Sequence, residues 1–427
     1  MIKIINIDSA EKSEILTRDI KLESGVETIV ADIIKNVREN GDNALKEYSL
    51  KFDKADIKNL RVTQEEIDAA YENEDKALIE TLELAKKNIW NFHEKQLRKG
   101  FEISEKDGVI SGQKITPIEK VGIYVPGGTA SYPSTVLMNA IPAKIAGVSE
   151  IIMVTPPDKD GNIPSAILCA AKIAGVDTII KTGGAQAVAA LAYGTESVPK
   201  ADKVVGPGNV FVATAKRMLY GLVDIDMIAG PSEILVLADG TCNPAYVAAD
   251  LLSQAEHDKL ASAVLVTDSE ELAYAVRDEL EKQIPLLPRE EIARASIETN
   301  GKIIIANNIE QGIEVANEIA PEHLEVCVDD PFALLGKIKN AGSIFLGKNT
   351  PEALGDYLAG TNHTLPTSGT ARFSSPLSVD DFVKKSQYIY YSEEALGEVK
   401  DKIVLFANRE GLHAHGKSAA IRFENKE

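Results

Sequence analysis

Between Ile151 and Leu346 the chain alternates short apolar runs with helical stretches, and this rhythm restricts the fold more than any other feature. The runs are Ile151-Ile-Met-Val-Thr155, Thr178-Ile-Ile-Lys-Thr182, Lys203-Val-Val205, Ile234-Leu-Val-Leu237, Ala263-Val-Leu-Val266, Ile303-Ile-Ile305, Leu324-Glu-Val-Cys-Val328 and Ser343-Ile-Phe-Leu346. Predominantly apolar runs of this length predict parallel strands covered on both faces, with the intervening helices as crossovers. A loop at Ala229-Gly-Pro-Ser-Glu233 divides the rhythm into two series. The expected fold class is α/β, with two doubly wound, incomplete Rossmann-like parallel sheets. No tight internal repeat accompanies them.

Ahead of this core, Ser24–Tyr48 and Thr63–Leu97 carry apolar residues at three- and four-residue spacing among Glu and Lys, the pattern of amphipathic helices. Thr63-Gln-Glu-Glu66 reads as a capping box. Beyond Asp356 the text turns to Gly, Thr, Ser and Pro, and a helical tail is expected from about Val379 to Phe406. The expected division is a helical N-terminal segment (1–120) packing with the second α/β domain, α/β domains at 121–230 and 231–378, and a tail at 379–427. The tail has too little apolar material for a core of its own, so a neighbouring subunit is its expected support.

Lys and Arg number 46 against 65 Asp and Glu, a formal net charge of −19, which excludes phosphate-backbone binding as a default and sets nucleic acid aside. No run of 18 apolar residues offers a membrane span. The first residues, Met-Ile-Lys-Ile-Ile-Asn-Ile-Asp, lack the long apolar stretch of a secretory signal. The three cysteines, Cys169, Cys242 and Cys327, form neither a disulfide framework nor a CxxC metal pair. A cytoplasmic location is expected.

Three glycine-rich turns fall at strand-to-helix junctions of the first series: Pro126-Gly-Gly128, Thr182-Gly-Gly-Ala-Gln186 and Gly206-Pro-Gly-Asn209. Such turns admit a ligand close to the backbone, and the helix beyond favours phosphate. Ligand-free tight turns are the plainer reading of any single one, but three in one sheet point to a nucleotide at its carboxyl edge. Histidines concentrate in the second half. Gln254 and His257 share one helix face and could offer an oxygen and an imidazole to one ion; a histidine favoured by the helix dipole is the alternative. Glu322 and His323 stand at the start of a strand, a placement suited to acid/base work or to a polar helix end. Glu410, His413 and His415 lie in the tail, and Asp356 follows the last predicted strand. Gln254, His257, Asp356 and a tail histidine make a nitrogen/oxygen set of the kind zinc takes.

Nine segments resemble, in order, the histidinol dehydrogenase family along nearly the whole chain. They are Val121–Gly128, Gly183–Ala190, Val205–Asn209, Ala229–Glu233, Asp250–Asp258, Ala320–Glu325, Gly355–Tyr357, Ala359–Pro366 and Glu410–His415. The resemblance implies a zinc- and NAD-dependent enzyme, one zinc per subunit, that oxidises L-histidinol to L-histidine through bound L-histidinal in two hydride transfers. It implies Gln254, His257, Asp356 and His415 as zinc ligands and Glu322 and His323 as the acid/base pair. Tyr124, Gln186 and Asn209 match the family's NAD-contacting positions. Ser232 and Glu410 match its substrate contacts, joined there by His323 and the four zinc ligands. It further implies a homodimer whose tail reaches into the partner's site. His413, two residues before His415, is a competing ligand. The alternatives are a dehydrogenase of the same fold acting on another small polar alcohol, such as a sulfonated diol, and a non-catalytic metal- or nucleotide-binding protein. Retention of Glu322 and His323 beside the candidate ligands argues against the latter.

Overall fold

The computed structural model describes residues 1–9, 11–16, 25–127 and 131–424, and it sets the predicted apolar runs in two separate parallel sheets. Gly128 of the first glycine-rich turn lies outside the described residues. Two compact units result: Met1–Gln96 with Ile118–Phe382, and Leu97–Pro117 with the chain from Val383 onward.

In the larger unit the chain starts with strand β1 (Lys3–Asn6) and helices α1 (Lys12–Leu16), α2 (Val26–Tyr48), α3 (Gln64–Asn73) and α4 (Lys76–His93). The capping box at Thr63 and Glu66 forms as expected at the start of α3. These helices do not pack with the second sheet as the sequence reading had it. Only β1 joins that sheet, pairing in parallel with its edge strand, and α1 touches a helix beside it. The apolar stripe of α2, including Val30, Ile33, Val37 and Leu45, enters one core with Tyr124, Ile152 and Val188 of the first α/β series. An alanine-rich partner helix lets α2 approach closely there, so burial is greatest against the first sheet.

The smaller unit takes β2 (Phe101–Lys106) and β3 (Val109–Pro117) from this part of the chain. The first series then runs β4 (Lys120–Tyr124), α5 (Pro133–Ala146), β5 (Glu150–Thr155), α6 (Ser165–Ala174), β6 (Thr178–Lys181), α7 (Gly184–Tyr193), β7 (Lys203–Val205), α8 (Val210–Leu219) and β8 (Asp224–Ile225). Its spatial order, β6-β5-β4-β7-β8, is all parallel and reverses direction between β4 and β7. The second series runs β9 (Glu233–Ala238), α9 (Pro244–Ala255), β10 (Ser262–Thr267), α10 (Glu270–Gln283), α11 (Glu290–Thr299), β11 (Lys302–Ile305), α12 (Ile309–Ile319), β12 (His323–Cys327), α13 (Phe332–Leu335), β13 (Ser343–Leu346) and α14 (Glu352–Tyr357). Its order, β1-β11-β10-β9-β12-β13, repeats the same winding with β1 added at the edge. The loop after α14 is no loose linker, because Asn362, Thr364 and Thr367 are buried in it.

The tail departs from the helical expectation. Val383–Tyr391 is a strand, β14, pairing antiparallel with β3 in a three-stranded sheet, and helices α15 (Glu393–Arg409) and α16 (His413–Ala420) follow it. The run Tyr388-Ile-Tyr-Tyr391, aromatic and β-branched throughout, favours extended backbone. Among the described residues no helix is long and apolar enough to cross a membrane.

The core that matters for the site is the one under α9, where Leu251 is fully buried with Val247, Leu252 and Leu265. Leu251→Ala should lower stability by about 2–5 kcal/mol in urea unfolding, because the helix is held at both ends and cannot collapse into the void. A loss below about 1 kcal/mol would show that α9 is not anchored by this core.

Candidate active site

The site grows from the register of β12 on β9. His323 lies opposite Ile234 and Glu325 opposite Val236, so His323, Glu325 and Cys327 face the α9 side while Leu324 and Val326 face the α12 side. On α9, Asp250 and Gln254 are four residues apart and share a face, and His257, in the turn just past the helix end, meets Gln254 side chain to side chain. The two rows meet at the amino ends of β9 and β12.

His323 is buried, and its Nδ1 lies 2.9 Å from the carbonyl oxygen of Glu233. Donating a proton there leaves Nε2 as the basic nitrogen of the neutral ring, and Nε2 has no hydrogen-bond partner among the described residues. Burial lowers its pKa, so the ring is neutral at physiological pH. Glu322 accepts the Glu233 N–H at 2.8 Å through Oε2, which is 3.6 Å from His323 Nδ1. Complete burial, with the charges of Glu233, Asp356 and Glu352 nearby, pushes its carboxyl well above the usual range.

Gln254 Oε1 lies 3.0 Å from His257 Nδ1, and the Gln254 amide nitrogen is buried without a partner among the described residues. Burial lowers the His257 pKa against the opposing charge of Glu352. Helix α14 brings Glu352 and Asp356 to the same place. Glu352 Oε1 is 3.7 Å from His323 Nε2, and Asp356 Oδ1 is 3.7 Å from His363 Nδ1. Burial and the neighbouring Glu352 charge raise the Asp356 carboxyl, and burial drives His363 down to about 4. Ligand atoms of His323, Glu352 and Asp356 all lie within 4.8 Å of one another. Carboxylates, imidazoles and an amide packed together out of water are costly unless a cation or substrate satisfies them. The donor set is the nitrogen/oxygen type that divalent zinc accepts.

Beneath this layer Glu325 accepts the Glu352 N–H at 2.7 Å and is hydrogen-bonded to Asp250. Burial raises both carboxyls, Glu325 further because Asp250 stands beside it, so the two share a proton. The pair pins the start of α14 and thereby Glu352 and Asp356.

Gln254, His257, Glu322, His323 and Asp356 are thus neighbours, and Ser232 immediately precedes Glu233 at the start of β9. The residues missed are Glu352, His363, Glu325 and Asp250. His363 stands in the matched stretch Ala359–Pro366 and its residue type was a usable signal. Glu352 follows a proline at an ordinary helix start, and nothing in its surroundings marks it. Glu410 and His415 belong to the smaller unit, where both are exposed.

The first sheet has a different apparatus at its carboxyl edge. Tyr124 ends β4, and its hydroxyl accepts the Gly184 N–H at 2.9 Å; burial pushes its pKa up to about 12. Gln186 lies buried in the first turn of α7. Asn209, exposed at the start of α8, caps that helix, its Oδ1 accepting from Phe211 N at 3.1 Å and Val212 N at 3.2 Å. These turns flank the point where the strand order reverses, the usual crevice for a nucleotide in such sheets.

The family model for histidinol dehydrogenase matches residues 16–423. A histidinol dehydrogenase of Clostridium acetobutylicum is 58% identical over 92% of this chain and 91% of that protein, and one from Listeria monocytogenes serovar 1/2a is 58% identical over 94% of each. The crystal structure of histidinol dehydrogenase from Elizabethkingia anophelis superposes with a TM-score of 0.93 at 39% identity, covering 99% of this chain and 98% of that one. The chain belongs to the histidinol dehydrogenase family of NAD-dependent oxidoreductases.

Proposed function

We propose that the chain acts in the cytoplasm, oxidising L-histidinol to L-histidine through enzyme-bound L-histidinal, with NAD taking a hydride at each of two steps and one zinc per subunit. The observation that carries the reading is the partnerless basic nitrogen of neutral, buried His323, set between Glu322 on one side and Glu352 and Asp356 on the other, with the Gln254–His257 pair nearby. Gln254, His257 and Asp356, with His415, would hold the zinc, which when bound supplies a fixed positive attachment point for the substrate's nitrogen donors. Tyr124, Gln186 and Asn209 would hold NAD, which supplies the hydride acceptor.

His323 Nε2 takes the hydroxyl proton as hydride leaves the carbinol carbon, giving the aldehyde. Its Nδ1–H, fixed on the Glu233 carbonyl, keeps the ring in the tautomer that leaves Nε2 free for this. Glu322 takes a proton from the water that adds to the aldehyde; burial makes its carboxylate a stronger base than one in solvent. As the water adds, the proton held by His323 passes to the former carbonyl oxygen and frees Nε2; the hydrate then loses the second hydride while Nε2 accepts its hydroxyl proton. Ser232 and Glu410 orient the substrate. No thiolate is needed. All three cysteines are buried, and burial raises the Cys242 thiol to about 11.

We further propose a homodimer in which Glu410 and His415 serve the site of the other subunit. The smaller unit exposes Phe101, Ile389, Tyr390 and Phe406, an unusual amount of apolar surface for a free module. The imidazole of His413 is 2.8 Å from Asn408 Oδ1, whereas His415 is engaged through its backbone. That favours His415 over His413 as the ligand.

Chelation should abolish turnover and zinc should restore it, with histidine measured as product; full activity in a verified metal-free preparation would sink the metal assignment. His323→Asn should lose roughly 10²–10⁴-fold in rate with little change in stability. Glu322→Gln should slow oxidation of histidinal more than oxidation of histidinol, since only the second step needs water. Equal damage to both would refute that division of labour. Co-expressing His323→Asn with His415→Ala chains tests the shared site: a mixed dimer then has one site without lesions and should regain part of the activity. Mixed dimers as inactive as either parent would mean that the tail serves its own subunit.

A further inference from the structure

The larger unit buries a lysine and an aspartate beside the Gly206–Asn209 turn, and the proposed mechanism uses neither. Side-chain exposure is 2% for Lys216 and 1% for Asp226, and the two form an ion pair. Two of their remaining hydrogen bonds converge on one residue, Gly206. Lys216 Nζ donates to the Gly206 carbonyl at 3.0 Å, and Asp226 Oδ2 accepts the Gly206 N–H at 2.8 Å. Asp226 Oδ1 also accepts the Met227 N–H at 2.6 Å. Gly206 has φ +111°, and a Cβ there would lie 2.2 Å from the Tyr124 carbonyl oxygen. The turn is therefore pressed against the end of β4 and gripped at both its donor and its acceptor.

A buried ion pair is a weak source of stability, since an apolar pair of similar volume often serves as well. What an apolar pair could not do is hold both polar groups of Gly206. Lys216 stands on α8, the helix whose N-terminus Asn209 caps, while Asp226 follows β8. The pair thus ties the turn to its own helix and to the neighbouring strand. We propose that Lys216 and Asp226 are positioning residues for dinucleotide binding, holding the Gly206–Asn209 turn in its binding geometry before NAD arrives. The proposal rests on the reading of that turn as part of the NAD site. Neither residue touches the substrate cluster on the second sheet, so the effect of losing them falls on the dinucleotide.

Replacing one partner would strand a buried charge and risk unfolding. The test therefore uses the paired variant Lys216→Met with Asp226→Asn, in the full-length metal-loaded enzyme. The KM for NAD should rise roughly tenfold or more, about the effect of one lost hydrogen bond to the turn. The KM for histidinol and kcat at saturating NAD should change by no more than about twofold, well inside the scatter of such measurements. Asn209→Ser, which keeps a capping oxygen, is measured in parallel. If it raises the KM for NAD while the folded paired variant does not, the clamp is overturned and the NAD reading stands. If Asn209→Ser leaves that KM unchanged, the NAD reading of the turn falls and takes the proposal with it. Should the paired variant not fold, amide exchange in the wild-type enzyme decides. Without NAD, the peptide carrying Gly206 should exchange as slowly as the β4 strand; rapid exchange that only NAD suppresses would overturn the proposal.

Discussion

Parallel pairing of β12 with β9 is the contact on which the proposed chemistry depends. It sets His323 against Ile234 and leaves Glu322 within reach of the Glu233 amide, so the backbone of one residue, Glu233, holds both members of the proposed acid/base pair. The register is enforced from the other face. Leu324 and Val326 bury against α12 with Leu235 and Leu237, and a slip of one residue would drive His323 and Glu325 into that apolar layer. Hydrophobic burial on one face of the strand thus fixes the placement of titratable groups on the other.

Those groups are expensive. Glu322, Glu325, Glu352 and Asp356 lie close to His257, His323 and His363 in a region from which water is largely excluded. Burial moves the carboxyls of Glu322, Glu325 and Asp356 up and the three imidazoles down, so the fold favours neutral forms of both kinds of group. A divalent cation in that setting reverses the preference, because ionised carboxylates and unprotonated imidazoles are the forms it binds. The same low-dielectric surroundings that penalise bare charge make a bound cation and a positioned base effective.

Much of this was legible in the sequence, and the rest was not for identifiable reasons. Every apolar run read as a strand is one, because strands covered on both faces need apolar residues throughout. Gln254 and His257 were legible because helical spacing fixes which residues share a face. Strands β2 and β3 were not resolved as separate strands: every residue of β2 is exposed and β3 is partly buried at all but Lys114, so neither has a fully buried face that a periodicity could mark. The packing of α2 on the first sheet is a tertiary choice between two apolar surfaces, which an amphipathic stripe alone cannot make. Glu325 sits in Leu324-Glu-Val326, where alternation would place a charged residue on a solvated face. Only Asp250, approaching from α9, turns that position into a buried hydrogen-bonded pair.

The two sheets have the same winding yet present the proposed sites at opposite edges. The first gathers Tyr124, Gln186 and the Gly206–Asn209 turn at its carboxyl edge, where ligand sites in wound sheets generally lie. The second gathers Ser232, Glu322, His323 and His257 at its amino edge. Connectivity explains the exception. The chain leaves the first sheet at Ile225, on the carboxyl side of β8, and enters the second at Glu233, on the amino side of β9, through residues 226–232 alone. A segment of that length spans at most roughly 25 Å fully extended. Gly230 N–H, bonded to Thr367 Oγ1 at 2.6 Å, and the Asp226 contacts anchor it along its length. The carboxyl edge of one sheet is therefore held near the amino edge of the other. A hydride acceptor bound at the first and an alcohol bound at the second can meet without either sheet contributing both.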